Sequence, residues 1–252
     1  MPELGLKLWS TNIDFIPLAR RLYDLGVYTY IELYAVPDTF MDHARVWNDV
    51  SIPFLIHAPH SGHGVNLAQS DYAEANAMLI GEAQRYADEL EAERIIVHPG
   101  VEGDIRETVR QILVLRDTRF VIENKPYYSV YDHSICNGYS PQDIRLIMDE
   151  TGAEFCLDIG HAIFAANALN VDRLAWVSSF VTMKPAMYHV SDGDYDGVED
   201  RHLSLGRGNF PLRELIGLMA VDAAVTLETE KDEDLHLFQN DIRFLKAAWG
   251  MI

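Results

Sequence analysis

Six short apolar runs in this chain each end on an acid or a histidine. Phe54-Leu55-Ile56 leads to His57, Ile95-Ile96-Val97 to His98 and Phe120-Val121-Ile122 to Glu123. Phe155-Cys156-Leu157 leads to Asp158, Met187-Tyr188 to His189 and Val225-Thr226-Leu227 to Glu228. Two further pairs follow the later runs: Asp158-x-x-His161 and Asp200-x-His202. Neutral imidazole and carboxylate are the ligands that zinc, manganese or ferrous iron accept. No thiolate belongs to the set, which argues against a structural zinc knuckle. A lone histidine at a strand end is usually a hydrogen-bonded core or surface residue, and a lone buried acid is usually salt-bridged. Six in register are another matter, because carboxylates gathered without a cation repel one another. Lys125 is the one Lys or Arg read at the eight strand ends, so a metal is the natural counter-charge.

Other residues carry weaker signals. Glu32 closes the second apolar run and suits an acid/base or a substrate ligand. His60 and His63 follow His57 in a loop that reads equally as substrate-binding or as solvated. Arg201 and Arg207 could clamp a phosphate or carboxylate, or pair at the surface. Gly206-Arg207-Gly208-Asn209 reads as a turn, or as backbone N–H groups turned toward an anion. Tyr127-Tyr128 suits stacking on a sugar ring, or covering the site.

Residues so spaced need elements that bring their ends together. Strand-like runs lie at 5–10, 28–34, 54–58, 94–99, 119–124, 154–159, 186–191 and 224–229. They are continuously apolar rather than alternating, as parallel strands buried on both faces are. Amphipathic segments separate them at 15–25, 38–47, 72–90, 105–115, 141–151, 171–181, 211–219 and 232–249. Ser140-Pro141 reads as a cap followed by proline at the first helical position. Eight strands alternating with eight helices predict an α/β chain folded as one (β/α)8 TIM barrel over residues 1–252, where strand ends converge on a single mouth. An open doubly wound sheet is the alternative. The formal charge of −19 opposes nonspecific DNA binding, which needs Lys and Arg against phosphates, although bound divalent cations would offset it locally. Two cysteines make no disulfide framework. No apolar stretch has membrane-spanning length and no secretory signal opens the chain, so no membrane partner and a cytoplasmic location are expected.

At these residues the sequence resembles the xylose isomerase-like TIM-barrel superfamily, which includes sugar and sugar-phosphate isomerases and epimerases and the endonuclease IV family. The resemblance runs from about residue 6 to 245. It is carried by His57-Ala-Pro, Val97-His98-Pro-Gly, Ile122-Glu123-Asn124, Leu157-Asp158-Ile-Gly-His161-Ala, His189-Val-Ser-Asp192, Asp200-Arg-His202-Leu-Ser-Leu-Gly-Arg-Gly208 and Leu227-Glu228. It implies one ion, zinc or manganese, on Glu123, Asp158, His189 and Glu228, with Glu123 and Glu228 as acid/base groups on a small sugar, sugar phosphate or sugar derivative. His98 and His161 would position hydroxyls, and His60, Glu32, Arg201 and Arg207 would contact substrate. The endonuclease IV branch implies up to three zinc ions on nine ligands, adding His57, His98, His161, Asp200 and His202, and duplex DNA as the partner of a phosphodiester hydrolase. The chain departs from that branch: His60 replaces its tyrosine, and His189-Val-Ser191-Asp192-Gly-Asp194 lacks its Asn and Lys. Ser129 stands where some ketohexose epimerases carry a second glutamate. A noncatalytic sugar- or metal-binding barrel is the remaining reading.

Overall fold

In a computed structural model, which describes residues 2–220 and 222–251, eight parallel strands close into a barrel in chain order. They are β1 (Glu3–Trp9), β2 (Tyr30–Tyr34), β3 (Phe54–His57), β4 (Ile95–Val97), β5 (Phe120–Glu123), β6 (Glu154–Asp158), β7 (Met187–Val190) and β8 (Ala224–Leu227). β1 closes on β8 with Glu3 opposite Ala224 and Leu6 opposite Leu227. The helices are α1 (Ile16–Asp24), α2 (Phe40–Asn48), α3 (Ala73–Glu89), α4 (Ile105–Leu115), α5 (Pro141–Thr151), α6 (Ile159–Leu169), α7 (Arg173–Val181), α8 (Leu212–Gly217) and α9 (His236–Ala248). The TIM barrel expected from the sequence is the fold observed, and the open sheet is not.

Strand alternation divides the core in two. Leu4, Leu6, Leu8, Ile31 and Leu33 belong to the large cluster that also holds Leu22, Trp47, Ile80, Ile112, Ile147, Phe180 and Ile242 of the helices. A separate small cluster of Tyr30, Ile96, Val121, Cys156, Met187 and Ala224, with Leu55 packed against it, fills the barrel axis. Residues two apart on a strand share a face. Two residues further along stand Glu32, His98, Glu123, Asp158, His189 and His57, and beyond Ala224 come Thr226 and Glu228. The apolar layer is therefore the floor of the layer that carries the chemistry. Tyr30 crosses that floor to bond Thr226, Oη to Oγ1 at 2.8 Å. Gly5 is required beneath it, since a Cβ there would lie 2.5 Å from the Tyr30 ring.

One element departs from the sequence reading. Residues 159–169, where the sequence reading places no element beyond a strand end at 159, form α6, so two helices rather than one separate β6 from β7. Ile159-Gly-His-Ala-Ile-Phe-Ala-Ala is buried all round, which removes the amphipathic stripe by which a helix is recognised.

Candidate metal centre

The strand ends deliver the acids and histidines to one mouth. His57, Glu123 and Asp158 are the last residues of β3, β5 and β6, and His189 is the third residue of β7. His98 and Glu228 follow β4 and β8 by one residue. Register sets them side by side: Asp158 pairs with His189, and His189 with Thr226. Asp158 also N-caps α6, its Oδ1 accepting from the His161 N–H at 2.6 Å. The Asp-x-x-His spacing is thus the reach of a cap to the third helical residue, which carries the His161 ring into the mouth.

Donor atoms gather in three adjoining groups. His57, His98 and Glu123 form one; Glu123, His189 and Glu228 form the second; Asp158, His161 and His202 form the third. Asp200 joins the last, with Oδ2 at 3.0 Å from His161 Nε2 and 2.7 Å from His202 Nε2. His189 Nδ1 lies 3.0 Å from Glu228 Oε1 and 3.4 Å from Glu123 Oε2. Ligands at about 2.0–2.2 Å from one tetrahedral ion stand roughly 3.3–3.6 Å apart, so the spacing fits a shared cation. Hydrogen-bond alignment says the same: His189 Nδ1, Glu123 Oε1 and Asp158 Oδ2 are buried and bonded to nothing. Glu123 Oε1 stands 3.1 Å from His161 Nδ1 without the alignment of a hydrogen bond. The residues present therefore fit a divalent metal. A further acid–histidine group, Glu32, His57 and Glu228, is different, because the Lys7 ammonium contacts both of its carboxylates.

Three of the imidazoles are fixed from behind. His57 Nδ1 donates to Ala58 O at 2.8 Å, and His161 Nδ1 to Asn124 O at 2.9 Å. Both rings then present Nε2 to the mouth. His189 is turned round, with Nε2 on Glu32 Oε2 at 2.9 Å and Nδ1 facing the cluster. Burial opposes ionisation of Glu123, but His98, His189 and Lys125 outweigh it and hold the carboxyl well below its ordinary range. Asp200 is held low against burial by His202 and His161. Burial resists charging of His161, yet Asp158 chiefly lifts it to about 9. His189 is raised against burial by Cys156, Glu32 and Glu123. Burial, helped by Lys125 at His98 and by Lys7 at His57, lowers those two rings.

Two loops roof the mouth. Tyr131 stacks on His60 at 5.8 Å between ring centroids, and its ring packs so closely on Gly62 that a Cβ there would lie 2.6 Å away. Antiparallel bridges Tyr128–Ile135 and Val101–Cys136 stiffen the loop that carries Tyr131. Beneath lies a cavity of about 480 Å³ lined by His57, His60, His98, Glu123, His161, Asp200, His202 and Glu228, with Lys7, Lys125 and Lys231.

The structure places the remaining residues as follows. Arg201 lines the mouth and pairs with Glu199 at 3.0 Å. Arg207 is exposed and is not among the residues lining the cavity. Glu32 is fully buried beneath it. Tyr127 packs on Tyr128 and on Tyr139, and Tyr131 lines the cavity in place of the pair. His63 bonds the Tyr34 hydroxyl at 2.7 Å. The anion at the glycine-rich turn proves to be internal: Asp192 accepts from the N–H groups of Gly193, Gly206, Gly208 and Phe210 at 2.8–3.1 Å. Sequence reasoning missed Lys7, which lies within a strand rather than at its end. The period-2 face shared by Gly5 and Lys7 was the signal available. It also missed Lys231, which burial pushes down to about 7. Both cysteines are free and buried, and burial raises Cys136 to about 11 and Cys156 to about 12. Among the described residues no helix is long and apolar enough to cross a membrane.

Comparison with known proteins places the fold. A family model described as a xylose isomerase-like TIM barrel matches residues 28–248. A probable endonuclease 4 of Mycobacterium bovis is 25% identical over 222 residues, covering 83% of this chain and 84% of the relative. An uncharacterized protein of Methanocaldococcus jannaschii is 22% identical over 204 residues, 73% of this chain and 66% of that protein, just under two thirds of its length. The crystal structure of endonuclease IV from Thermus thermophilus superposes with a TM-score of 0.74 at 19% identity, covering 100% of both chains. That of a D-tagatose 3-epimerase-like protein superposes at 0.72 and 17% identity, covering 99% and 97%.

Proposed function

The chain belongs to the xylose isomerase-like TIM-barrel family, and from that premise we propose that it is a divalent-metal-dependent isomerase or epimerase of a small sugar, sugar phosphate or sugar derivative. The carrying observation is the roofed cavity of about 480 Å³ above the ligand cluster. Its volume suits one small molecule, and the chain around it has a formal charge of −19. Glu123, Asp158, His189 and Glu228 would hold zinc or manganese, whose chemistry is to polarise a carbonyl and gather adjacent substrate oxygens. Glu123 and Glu228 both line the cavity, and each stands within 3.4 Å of His189 Nδ1. One takes a proton from a substrate carbon and the other returns a proton to the neighbouring or opposite position. His98 and His161 orient hydroxyls, and His60 and Arg201 contact the substrate from the rim. The Tyr131 roof limits water at the reacting carbon.

A second reading, an endonuclease IV-like phosphodiester hydrolase, is favoured by one observation: nine candidate ligands assemble into three adjoining groups rather than one. Metal counting separates the two. With one ion on the four-ligand set, His98→Ala and Asp200→Ala each retain a full equivalent of metal while turnover of a sugar substrate falls. Three ions in the wild type, within about 5 Å of one another as multi-metal hydrolytic sites are, with partial loss in each variant, would displace the isomerase reading.

A further inference from the structure

We infer that Glu32, held by Lys7, is the positioning residue that dictates which nitrogen His189 offers to the metal. This rests on the metal-centred reading above and extends it to a residue that cannot touch substrate. Glu32 is 0% exposed and absent from the cavity lining, so the acid/base and substrate-ligand roles open to it from sequence do not suit its place. Its two oxygens are divided. Oε2 accepts from His189 Nε2 at 2.9 Å, and Oε1 faces the Lys7 ammonium at 3.2 Å. His189 is likewise 0% exposed, so no water competes for Nε2–H.

The three rings anchored from behind make the assignment specific. His57 and His161 give their Nδ1–H to backbone carbonyls and present Nε2. His189 gives Nε2–H to a carboxylate and presents Nδ1, the opposite tautomer. A neutral imidazole has one donor and one acceptor nitrogen, so the partner behind the ring selects the ligand atom in front. A carboxylate behind the ring also makes the ligating nitrogen more basic than a carbonyl does. Lys7 completes the device. It bridges Glu32 to Glu228, itself a member of the ligand set. It thereby balances a buried carboxylate that would otherwise sit beside Glu123 and Glu228, and ties the orientation of His189 to that of Glu228.

Nitrogen-15 NMR of the zinc-loaded wild type, with labelled histidine, tests this directly. The expected spectrum has the His189 proton on Nε2, slowly exchanging, with zinc on Nδ1. A proton on Nδ1, or zinc on Nε2, overturns the inference. Zinc affinity by chelator competition is the second arm. Glu32→Ala should weaken the four-ligand site about 10–100-fold, the usual cost of losing such a partner, Glu32→Asp should recover part of it, and Lys7→Met should weaken it less. Unchanged affinity in a folded Glu32→Ala protein overturns the inference while leaving the metal reading intact. A wild type that takes up no divalent metal overturns both.

Discussion

At the scale of the residue, Asp158 serves two purposes with its two oxygens. Oδ1 caps α6, and Oδ2 is buried and free of hydrogen bonds. Asparagine caps a helix about as well as aspartate but is a poor ligand for a hard or borderline cation. Asp158→Asn is therefore expected to lose bound metal while the metal-free protein keeps its stability within about 1 kcal/mol. Glu228→Gln should also lose metal, and in addition leaves Lys7 with Glu32 as its remaining carboxylate contact. Metal content beside a urea titration reads both effects. Near-stoichiometric metal in both variants would remove these residues from the ligand set.

At the scale of the element, the loop between β7 and α8 brings Asp200 and His202 to the mouth, and one buried acid shapes it. Asp192 accepts four backbone N–H groups from residues 193–210 and pairs through its backbone with Leu203. Gly208 passes so close that a Cβ would lie 2.2 Å from Gly193 O and 2.5 Å from Asp192 Oδ1. Asp192→Ala strands those donors, the Gly193 and Phe210 N–H groups among them in buried bonds. A loss on the order of 3 kcal/mol is expected, since hydrogen bonds to charged groups are worth roughly 1.5–3 kcal/mol. Under the multi-ion reading the third ligand group should lose metal before the second, because Glu123, His189 and Glu228 stand on or directly after strands whereas Asp200 and His202 stand on this loop. Equal metal loss at both would show that the loop does not position Asp200 and His202 separately.

At the scale of the molecule, the proposed ligands Glu123, Asp158 and His189 stand on β5, β6 and β7 and Glu228 directly follows β8, so a bound ion would tie half of the barrel together. At a free metal concentration about 100 times Kd the stabilisation is about 2.7 kcal/mol. For a domain of this size that corresponds to roughly 5–10 °C in Tm, and a chelator should remove it in a thermal scan at constant pH. An unchanged Tm would count against a tight site. The charge of −19 leads to a further expectation. The metal-loaded protein should bind an abasic duplex no more tightly than the micromolar range at physiological salt, where nonspecific affinity depends on phosphate contacts. Submicromolar binding with strand cleavage would instead favour the hydrolase.

The sequence by itself determined the barrel and the identity of the mouth residues. Short, continuous apolar runs recurring along the chain suit strands buried on both faces, and in a parallel barrel the residues ending them meet at one mouth. The register of His57, His98, Glu123, Asp158, His189 and Glu228 marked the mouth, and the proposed four-ligand set came from the resemblance to the family's motifs. Tertiary structure alone decided what stands behind and above those residues. Lys7 and Glu32 are 25 residues apart and lie on neighbouring strands, while His189 is 157 residues from Glu32, and no local pattern encodes that meeting. The same holds for Asp192, whose four partners span 18 residues of irregular loop, and for Tyr131, which reaches across the mouth to Gly62. α6 escaped detection because burial on all sides erased its periodicity. Strand order and face follow from period and hydrophobicity, which are local properties. Which nitrogen faces the metal depends on side chains brought together by closing the barrel.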